Sequence, residues 1–407
     1  MAMSEFLPEL LERAVGLPAS QPLMSRLVDP PSVWLVGGAV RDLLLGGAPV
    51  DLDLVVEGDS GALATSLGGA VRVHDRFGTS TVRLDGFTYD IARTRRETYA
   101  RPGALPDVEP APLSEDLGRR DFTVNAIALG LAGDAAGELT AVPQALEDLA
   151  RCRLRVLHDG SFIDDPTRLF RLVRYATRLG FEIEPHTRAL AADAISGNSV
   201  KTVSGSRIGA ELRLLAREPD PVGALRGLRE LGLDTAIHPR FGLDDEDLAR
   251  RALALLPDDG RRDRLVLAVA ARRIPSEELI WLLDGLAFEA EDRDVIVTTA
   301  TRADDVAGAL GAATVPSEIA AAVSGTPPEL VALAGALGAD SQARDWFERL
   351  RHVHLEIDGR DLLAAGVPEG PAIGRGLRAA LAAKLDRRAS GREQELAEAV
   401  QAAGGRR

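Results

Sequence analysis

The chain has 407 residues, of which 45% are hydrophobic and 27% are charged, a composition typical of a folded globular protein that excludes a disordered or collagen-like one. At roughly 150 residues per domain, this length accommodates two or three domains. The formal net charge of −14 provides no overall basic footprint for nucleic acid, so local clusters among the 46 arginines matter more than the total. A GC-rich genome would produce the same arginine excess without any function.

The N-terminal residues carry several glutamates and lack the basic start and apolar core of a signal peptide. No stretch approaches the roughly 20 apolar residues that a membrane span needs. Cys152 is the only cysteine, which excludes a disulfide or a cysteine-based zinc site within the chain. These features predict a cytoplasmic protein with no membrane partner.

A strand, a glycine turn and a short helix are predicted near the start of the chain. Val33–Val36 is an apolar run typical of a buried strand, Gly37 and Gly38 interrupt it, and residues 39–45 continue with helical character. Because glycine has no Cβ, the backbone N–H groups of the pair can approach a triphosphate, and the helix N-terminus favours an anion. Taken alone, the glycine pair is more often a tight turn.

Two carboxylates follow on a predicted strand over residues 51–56. Strict alternation places Asp51 and Asp53 on one face of this strand and the apolar side chains on the other. Such oxygen ligands can hold two Mg²⁺ ions, one activating an attacking hydroxyl and the other stabilising the leaving pyrophosphate. A lone pair of this kind is more often a solvated face. A dinucleotide-binding alternative fits poorly, because it expects three spaced glycines before a later acidic residue.

A β-hairpin is predicted over residues 79–92, because Asp85-Gly86 separates two strand-like runs. On its second arm, Asp90 faces opposite to Tyr89 and Ile91. We therefore expect Asp90 to lie beside the two earlier aspartates as a third carboxylate.

Strand signals become rare after this hairpin. Residues 97–114 contain four prolines and predict a mobile loop. From about Leu146 onward, helical periodicity and helix starts predominate, as at Asp165-Pro166, Ser276 and Pro328. The C-terminal two thirds of the chain is therefore predicted to be mostly helical.

An arginine-rich motif precedes the apolar run near residue 126. It contains the adjacent Arg119 and Arg120, followed by Asp121 and Asn125. Paired arginines suit phosphate or ribose recognition. A solvated helix start explains the same pattern equally well.

A third motif begins a helix with arginines on one side: Arg168, Arg171, Arg174 and Arg178. Asp165 before Pro166 is a normal helix start, and Asp164 complements the helix dipole. Asp165 and Arg168 also project from the same turn. Together they could offer an acceptor and a fork of donors to a base edge.

These motifs together resemble the class II tRNA nucleotidyltransferase and bacterial poly(A) polymerase family. The resemblance rests on residues 35–46 with Asp51 and Asp53, on residues 119–126 and on residues 164–168, in the family's order. Residues 207–212 resemble a further neck motif, and residues 359–371 resemble the tail region more weakly.

The resemblance implies an α+β protein with a polymerase-β-like nucleotidyltransferase head, a small mixed sheet with helices, followed by an all-helical neck, body and tail. The implied domains are a catalytic head over residues 1–145, a base-recognising neck over 146–215, a body over 216–300 and a tRNA-binding tail over 301–407.

The resemblance also implies residue roles. Asp51 and Asp53 would bind Mg²⁺ and act in catalysis with Asp90, while Asp165 and Arg168 would pair with the base of CTP or ATP. Asp164 would orient Arg168, although the family commonly has Glu there. The implied nucleotide-binding residues are Gly37, Gly38, Arg41, Arg119, Arg120, Asp121, Asn125, Asp164, Asp165, Arg168, Arg171 and Arg174.

The implied activity is template-independent addition of C and A nucleotides from CTP and ATP to the 3′ end of tRNA, with release of pyrophosphate. CC-only addition, A-only addition and poly(A) synthesis remain alternatives within the family. Residues 72–78 do not resemble the basic signature of poly(A) polymerases, and the length of the loop over residues 97–114 favours full CCA or A addition. A non-catalytic RNA-binding module or a small-molecule transferase would be a different class; the retained Asp51 and Asp53 disfavour the former, and the long helical C-terminus disfavours the latter.

Overall fold

The computed structural model describes residues 3–28, 30–74 and 78–404. Residues 75–77, within the segment compared above with poly(A) polymerases, lie outside the described residues. The chain divides into two compact units, Met1–Ser204 with Leu231–Ala236, and Gly205–Glu230 with Ile237–Arg407. The predicted head and most of the predicted neck therefore belong to one unit. The finer division into four domains stays a prediction.

The described part of the first unit contains a seven-stranded sheet and two two-stranded ribbons. The strands are β1 (Val33–Val36), β2 (Leu52–Val56), β3 (Ala70–His74), β4 (Thr79–Leu84), β5 (Phe87–Arg93), β6 (Arg95–Thr98), β7 (Asp107–Pro110), β8 (Ile127–Ala132), β9 (Leu139–Ala141), β10 (Arg153–Leu154) and β11 (Glu182–Ile183). The sheet order is β3-β4-β5-β2-β1-β8-β9, in which β2 and β5 pair in parallel and the other neighbours are antiparallel. The predicted mixed sheet is confirmed.

The remaining regular elements of the described ranges are helices. Up to residue 196 they are α1 (Met3–Val15), α2 (Gln21–Met24), α3 (Gly38–Leu44), α4 (Ser60–Ser66), α5 (Leu113–Gly118), α6 (Ala145–Ala150), α7 (Ser161–Asp164), α8 (Thr167–Leu179) and α9 (Pro185–Ser196). The later ones are α10 (Gly205–Ala216), α11 (Pro221–Leu231), α12 (Leu233–Ile237), α13 (Glu246–Leu255), α14 (Arg262–Ala271), α15 (Ser276–Gly285), α16 (Ala290–Ala312), α17 (Pro316–Ala322), α18 (Pro328–Ala334), α19 (Asp340–Glu348), α20 (Gly359–Ala364), α21 (Pro371–Leu385) and α22 (Gly391–Ala403).

The predicted strand, glycine turn and helix at the start of the head are confirmed as β1, Gly37 and α3. All four side chains of β1 are buried because the strand lies between β2 and β8 in the sheet. On one face Trp34 and Val36 pack with Val55, Leu113 and Leu117, so that α5 covers the sheet there. This packing brings the end of β1 and the start of α3 close to the segment that follows α5.

The predicted hairpin is confirmed as β4 and β5. Its turn residues Asp85 and Gly86 have φ values of 47° and 88°, as a two-residue turn that matches the strand twist requires. Tyr89 is buried, and its hydroxyl donates a hydrogen bond of 2.7 Å to the carbonyl oxygen of Ala19. The intervening Asp90 is exposed on the opposite face, as predicted.

The mobile loop predicted over residues 97–114 is wrong for much of its length. β6 and β7 form an antiparallel ribbon, and α5 begins at Leu113. Pro110 is tolerated because it sits at the end of a two-stranded ribbon, where a missing N–H costs no central ladder bond. Between the strands, the Gly103 N–H donates to the carbonyl oxygens of Ile163 (3.3 Å) and Asp164 (3.2 Å), which ties the ribbon's connection to α7.

The helical C-terminal part of the chain is confirmed. α8 starts after Asp165-Pro166, α15 starts at Ser276 and α18 starts at Pro328, each at a predicted helix start. Among the helices of the described ranges, none has the length and apolar character needed to cross a bilayer.

Candidate active site

A polar pocket of about 390 Å³ in the first unit brings together the three motifs that are distant in the sequence. It is lined by Gly37, Gly38, Asp53, Arg95, Glu97, Tyr99, Leu105, Pro106, Arg119, Arg120, Asp121, Asn125, Asp165, Arg168, Arg171 and Tyr175. Most of the predicted nucleotide-binding residues are therefore neighbours. The pocket extends from the glycine turn after β1 to the first turns of α8.

The glycine turn makes room for arginine side chains. Gly37 precedes α3 with φ of 71°, and a Cβ there would lie 3.0 Å from Arg120 Nη1. At Gly38 a Cβ would lie 3.3 Å from Arg41 Nη2. The expectation that both glycine N–H groups face a triphosphate is wrong for Gly37, because its N–H donates to the carbonyl oxygen of Ile127 at 3.1 Å.

Three carboxylates lie near one another at the neighbouring strands β2 and β5, and Asp53 is the one that lines the pocket. Asp53 on β2 and Asp90 on β5 are register partners in the parallel pair, and both are exposed. Asp51 immediately precedes β2, and Thr81 Oγ1 donates to Asp90 Oδ1 at 2.7 Å. Desolvation by the surrounding protein raises the pKa of Asp53, and the carboxylates of Asp90 and Asp51 raise it further, while Arg120 opposes the shift.

This donor set fits Mg²⁺ bound jointly with a nucleotide. Within the described ranges, no group of three or more histidine, cysteine, aspartate or glutamate side chains is arranged to hold a metal ion by itself. Mg²⁺ is commonly held by one or two carboxylates together with substrate phosphates rather than by a cage of protein ligands. The mutual repulsion that raises the pKa of Asp53 is relieved by a divalent cation, so Asp51 and Asp53 are suitable carboxylates for such an ion.

The two adjacent arginines are held by one buried carboxylate, Asp116 on α5, which is 0% exposed. Arg119 donates to Asp116 Oδ1 from Nε (3.0 Å) and Nη2 (2.7 Å), and Arg120 Nη2 donates to Oδ2 at 2.9 Å. Burial raises the pKa of Asp116, but the two guanidinium groups outweigh it and hold that pKa below its ordinary value. The alternative of a solvated helix start is therefore wrong. Sequence analysis missed this role of Asp116, although an acid three and four positions before two arginines is a readable signal.

Two hydrogen bonds and an ion pair link α3 to α8 through the residues after the arginines. Arg41 Nη1 donates to Asn125 Oδ1 at 2.6 Å, and Asn125 Nδ2 donates to Asp121 Oδ1 at 3.0 Å. Asp121 Oδ2 then lies 2.9 Å from Arg171 Nη2. Burial raises the pKa of Asp121, but Arg171 and the hydrogen bond from Asn125 hold it below its ordinary value. Arg41 is buried and lies outside the pocket lining, so it supports Asn125 rather than facing the pocket.

The arginines of α8 face the protein interior to different degrees. Arg168 is 4% exposed and lines the pocket, and Arg171 also lines it. Arg174 is buried outside the lining, with its guanidinium 4.9 Å from the centre of the Tyr175 ring. Arg178 is exposed. The arginine side of this helix is therefore mainly an internal surface that closes the pocket.

Asp165 and Arg168, the two residues predicted to contact the base, both line the pocket. The contacts that hold their side chains differ from the prediction. Asp165 Oδ1 accepts from Thr167 N (3.0 Å) and Oγ1 (2.6 Å), as a helix start requires. Arg168 donates to Ser161 Oγ and to a backbone carbonyl. The expected ion pair between Asp164 and Arg168 does not form in the described structure; Asp164 Oδ2 lies 4.0 Å from His158 Nε2 instead.

The β6–β7 ribbon supplies pocket residues that sequence analysis missed. Glu97 Oε1 accepts from Arg119 Nη1 at 2.7 Å, and the Tyr99 hydroxyl donates to Glu97 Oε2 at 3.1 Å. Burial, together with the nearby Glu97 charge, raises the pKa of Tyr99 to about 12. Residues 95–99 carry no strand signal in the sequence, because they show no alternation of apolar and polar side chains.

Two family models match the chain. The model described as the poly A polymerase head domain matches residues 33–155, and the model described as a probable RNA- and SrmB-binding site of polymerase A matches residues 180–242. The first match contains the glycine turn, the three carboxylates and the paired arginines.

Curated relatives are similar over most of the chain. An A-adding tRNA nucleotidyltransferase of Geobacter sulfurreducens is 34% identical over 410 residues, covering 91% of this chain and 45% of the relative. A CC-adding tRNA nucleotidyltransferase of Deinococcus radiodurans is 35% identical over 360 residues, covering 87% of this chain and 85% of the relative. The chain spans less than half the length of the A-adding relatives that it matches.

Solved structures share the fold along nearly the whole chain. The Thermotoga maritima CCA-adding enzyme complexed with tRNA is 26% identical with a TM-score of 0.76, covering 98% of each chain. A CCA-adding enzyme in complex with CTP is 26% identical with a TM-score of 0.78, covering 99% of this chain and 98% of that one.

Proposed function

The chain belongs to the tRNA nucleotidyltransferase family, and from this premise we propose that it adds C and A nucleotides to the 3′ end of tRNA from CTP and ATP without a nucleic-acid template. Pyrophosphate is the second product. One observation carries the proposal: a single pocket joins the glycine turn, Asp53, the paired arginines and the Asp165–Arg168 pair. Each is a part that nucleotidyl transfer needs, and they come from three separate stretches of the chain.

In this proposal the arginines bind the triphosphate. Arg120 and Arg119 are held by Asp116, so their guanidinium groups are ordered before the nucleotide arrives. Preorganised donors lose little entropy on binding and stabilise charge that develops in the transition state. Asn125 and Arg171 line the same pocket and hold Asp121 between them, and in this proposal the Asp121 carboxylate would contact the ribose.

Asp51 and Asp53 would hold Mg²⁺, with Asp90 beside Asp53 as the third carboxylate. When bound, the metal would lower the pKa of the attacking tRNA 3′-hydroxyl and neutralise charge on the phosphates. The raised pKa of Asp53 makes its carboxylate a group that gains from a cation.

Asp165 and Arg168 would select the base. An acceptor and a planar fork of donors on one helix turn can pair with the edge of cytosine or adenine. Both side chains line the pocket that contains the paired arginines, so one nucleotide can contact both sets. The protein would thus take the place of a template strand.

The helices beyond the pocket would bind the tRNA. The family match over residues 180–242 and the tRNA complex of the Thermotoga maritima neighbour support this assignment. The neck over residues 146–215, the body over 216–300 and the tail over 301–407 are our proposed divisions of that surface.

The test is extension of tRNA transcripts that end at the discriminator base, at C or at CC, with Mg²⁺ and with CTP and ATP supplied singly and together. Full CCA addition predicts C transfer to the first two transcripts and A transfer to the third. The Asp51→Ala variant should bind tRNA but transfer nothing. Absence of any transfer by the wild-type chain would defeat the proposal.

A-only addition is the second candidate, because two A-adding relatives are 43% identical to this chain over 207 and 189 residues. It predicts extension of the CC-ending transcript alone, with ATP. Arrest after two C residues would instead assign CC-only addition, and repeated A transfer to a CCA-ending transcript would assign poly(A) synthesis.

A further inference from the structure

Arg168 lies between two cavities of the first unit. It lines the active-site pocket of about 390 Å³ and also a second cavity of about 330 Å³, whose lining includes His158 and Asp164. A side chain that borders two cavities is not positioned by close packing alone. Specific hydrogen bonds must therefore decide which cavity the guanidinium faces.

Two hydrogen bonds hold the guanidinium of Arg168. Nη1 donates to Ser161 Oγ at 2.7 Å, and Nη2 donates to the carbonyl oxygen of Arg119 at 2.6 Å. Ser161 is fully buried on α7, and Arg168 is 4% exposed. Since hydrogen bonds from a charged donor inside a protein are about twice as strong as neutral ones, the Ser161 hydroxyl is a strong anchor.

The second cavity contains a competitor for the same guanidinium. Asp164 contributes a carboxylate to the lining, and its Oδ2 lies 4.0 Å from His158 Nε2. Desolvation together with the charge of Arg168 lowers the pKa of His158, so the imidazole is a weak partner for this carboxylate at neutral pH. The negative charge of Asp164 therefore attracts Arg168 toward the second cavity.

We propose that Ser161 is a specificity-determining positioning residue, whose hydroxyl holds Arg168 toward the incoming base against the pull of Asp164 from the second cavity. The inference rests on the proposed function, in which Arg168 reads the base of CTP or ATP. It reverses the role that the family resemblance implies for Asp164, which becomes a competitor rather than a support.

The test measures base selection with tRNA transcripts as acceptors, as the ratio of kcat/KM for CTP over UTP and for ATP over GTP. Ser161→Ala and Ser161→Cys both remove the strong oxygen acceptor, and the second nearly preserves volume. Each should lower the ratio for the transferred base about tenfold, the loss expected for one charged hydrogen bond. The double variant S161A/D164N should recover part of the loss of S161A.

The outcomes separate the inference from the function on which it rests. If wild-type protein transfers no nucleotide, the proposed function fails. If wild-type protein transfers but S161A and S161C keep its base selection, the inference fails alone. If S161A and S161C lose the same rate with all four nucleotides, Ser161 only stabilises the fold. If S161A/D164N selects the base no better than S161A does, Asp164 does not compete for Arg168.

Discussion

Asp121 Oδ2 lies 2.9 Å from Arg171 Nη2, so that an ion pair joins the segment after α5 to the middle of α8. The Asp121 side chain is 4% exposed and that of Arg171 is 34% exposed. This contact connects the residues proposed to hold the triphosphate with the helix proposed to read the base. Its loss should therefore affect both the stability of the first unit and nucleotide binding.

A double-mutant cycle on Asp121→Asn and Arg171→Met should give a coupling of about 0.5 to 3 kcal/mol in the free energy of unfolding, the range for groups in direct contact within one network. Chemical denaturation measures it. The exposed pair Glu147 and Arg151, whose side chains are 55% and 58% exposed, is the control and should couple by less than about 0.5 kcal/mol. Equal coupling for the two pairs would contradict the argument.

The same pair predicts a pH dependence. Because the pKa of Asp121 is held below its ordinary value, its ionised form contributes stability above the unfolded pKa of about 3.9, and this contribution is lost as pH falls toward the folded value. Arg171→Met should weaken this acid dependence. Denaturation midpoints measured from pH 6 down to about pH 3 test it. An unchanged dependence in the variant would mean that other groups depress the Asp121 pKa.

Replacing Asp53 should raise the stability of the metal-free protein and lower its activity. Because the pKa of Asp53 is raised on folding, the folded metal-free chain holds a proton on Asp53 more readily than the unfolded chain does, so stability falls as the pH rises above the ordinary pKa of this carboxyl. Asp53→Asn should therefore raise the Tm of metal-free protein at pH 7, and this gain should vanish below about pH 3.9, the ordinary value. Nucleotidyl transfer should fall by at least about 100-fold.

Added Mg²⁺ with nucleotide should raise the Tm of wild-type protein much more than that of Asp53→Asn, because the ion binds the ionised carboxylate. Thermal melts with and without EDTA check this. A metal-induced Tm shift of equal size in both proteins would remove Asp53 from the metal site.

Asp116→Asn should weaken nucleotide binding through two arginines at once. The amide offers one acceptor where the carboxylate serves Arg119 and Arg120, so at least one charged hydrogen bond is lost. We expect KM for the nucleotide to rise roughly tenfold, with a smaller change in tRNA affinity. Steady-state kinetics and a tRNA-binding titration check this. The exposed Glu138→Gln is a matched carboxylate-to-amide control that should change neither, whereas equal losses in both measurements would point to general unfolding.

Gly37→Ala should impair nucleotide binding in addition to straining the backbone. The substitution places a Cβ at φ of +71° and ψ of −134°, a region that costs a non-glycine residue about 1 to 3 kcal/mol, and brings it 3.0 Å from Arg120 Nη1. Gly46→Ala is the control, because Gly46 has φ of +87° and nothing within 4 Å of the added Cβ. Both variants should lose similar stability, but only Gly37→Ala should raise KM for the nucleotide. Equal KM values for the two variants would show that Arg120 accommodates the methyl group.

Local sequence patterns determined the elements that carry the site. Alternation identified β2 with Asp53 exposed between buried neighbours, and Asp85-Gly86 identified the hairpin that presents Asp90. Helix-start chemistry at Asp165-Pro166 placed α8 and thereby Arg168. Such features are readable because periodicity and turn preference depend on neighbouring residues along the chain.

Tertiary structure alone decided which side chains face the pocket and which ones support it. Arg41 and Arg174 resemble pocket arginines in the sequence, yet both are buried behind the lining, while Asp116 and Ser161 hold the arginines that do line it. The ribbon of β6 and β7 exists because two proline-flanked segments pair across a connection tied to α7. These contacts join residues far apart in the chain, and whether a buried charge is stable depends on the partner that the fold brings to it, which no local pattern encodes.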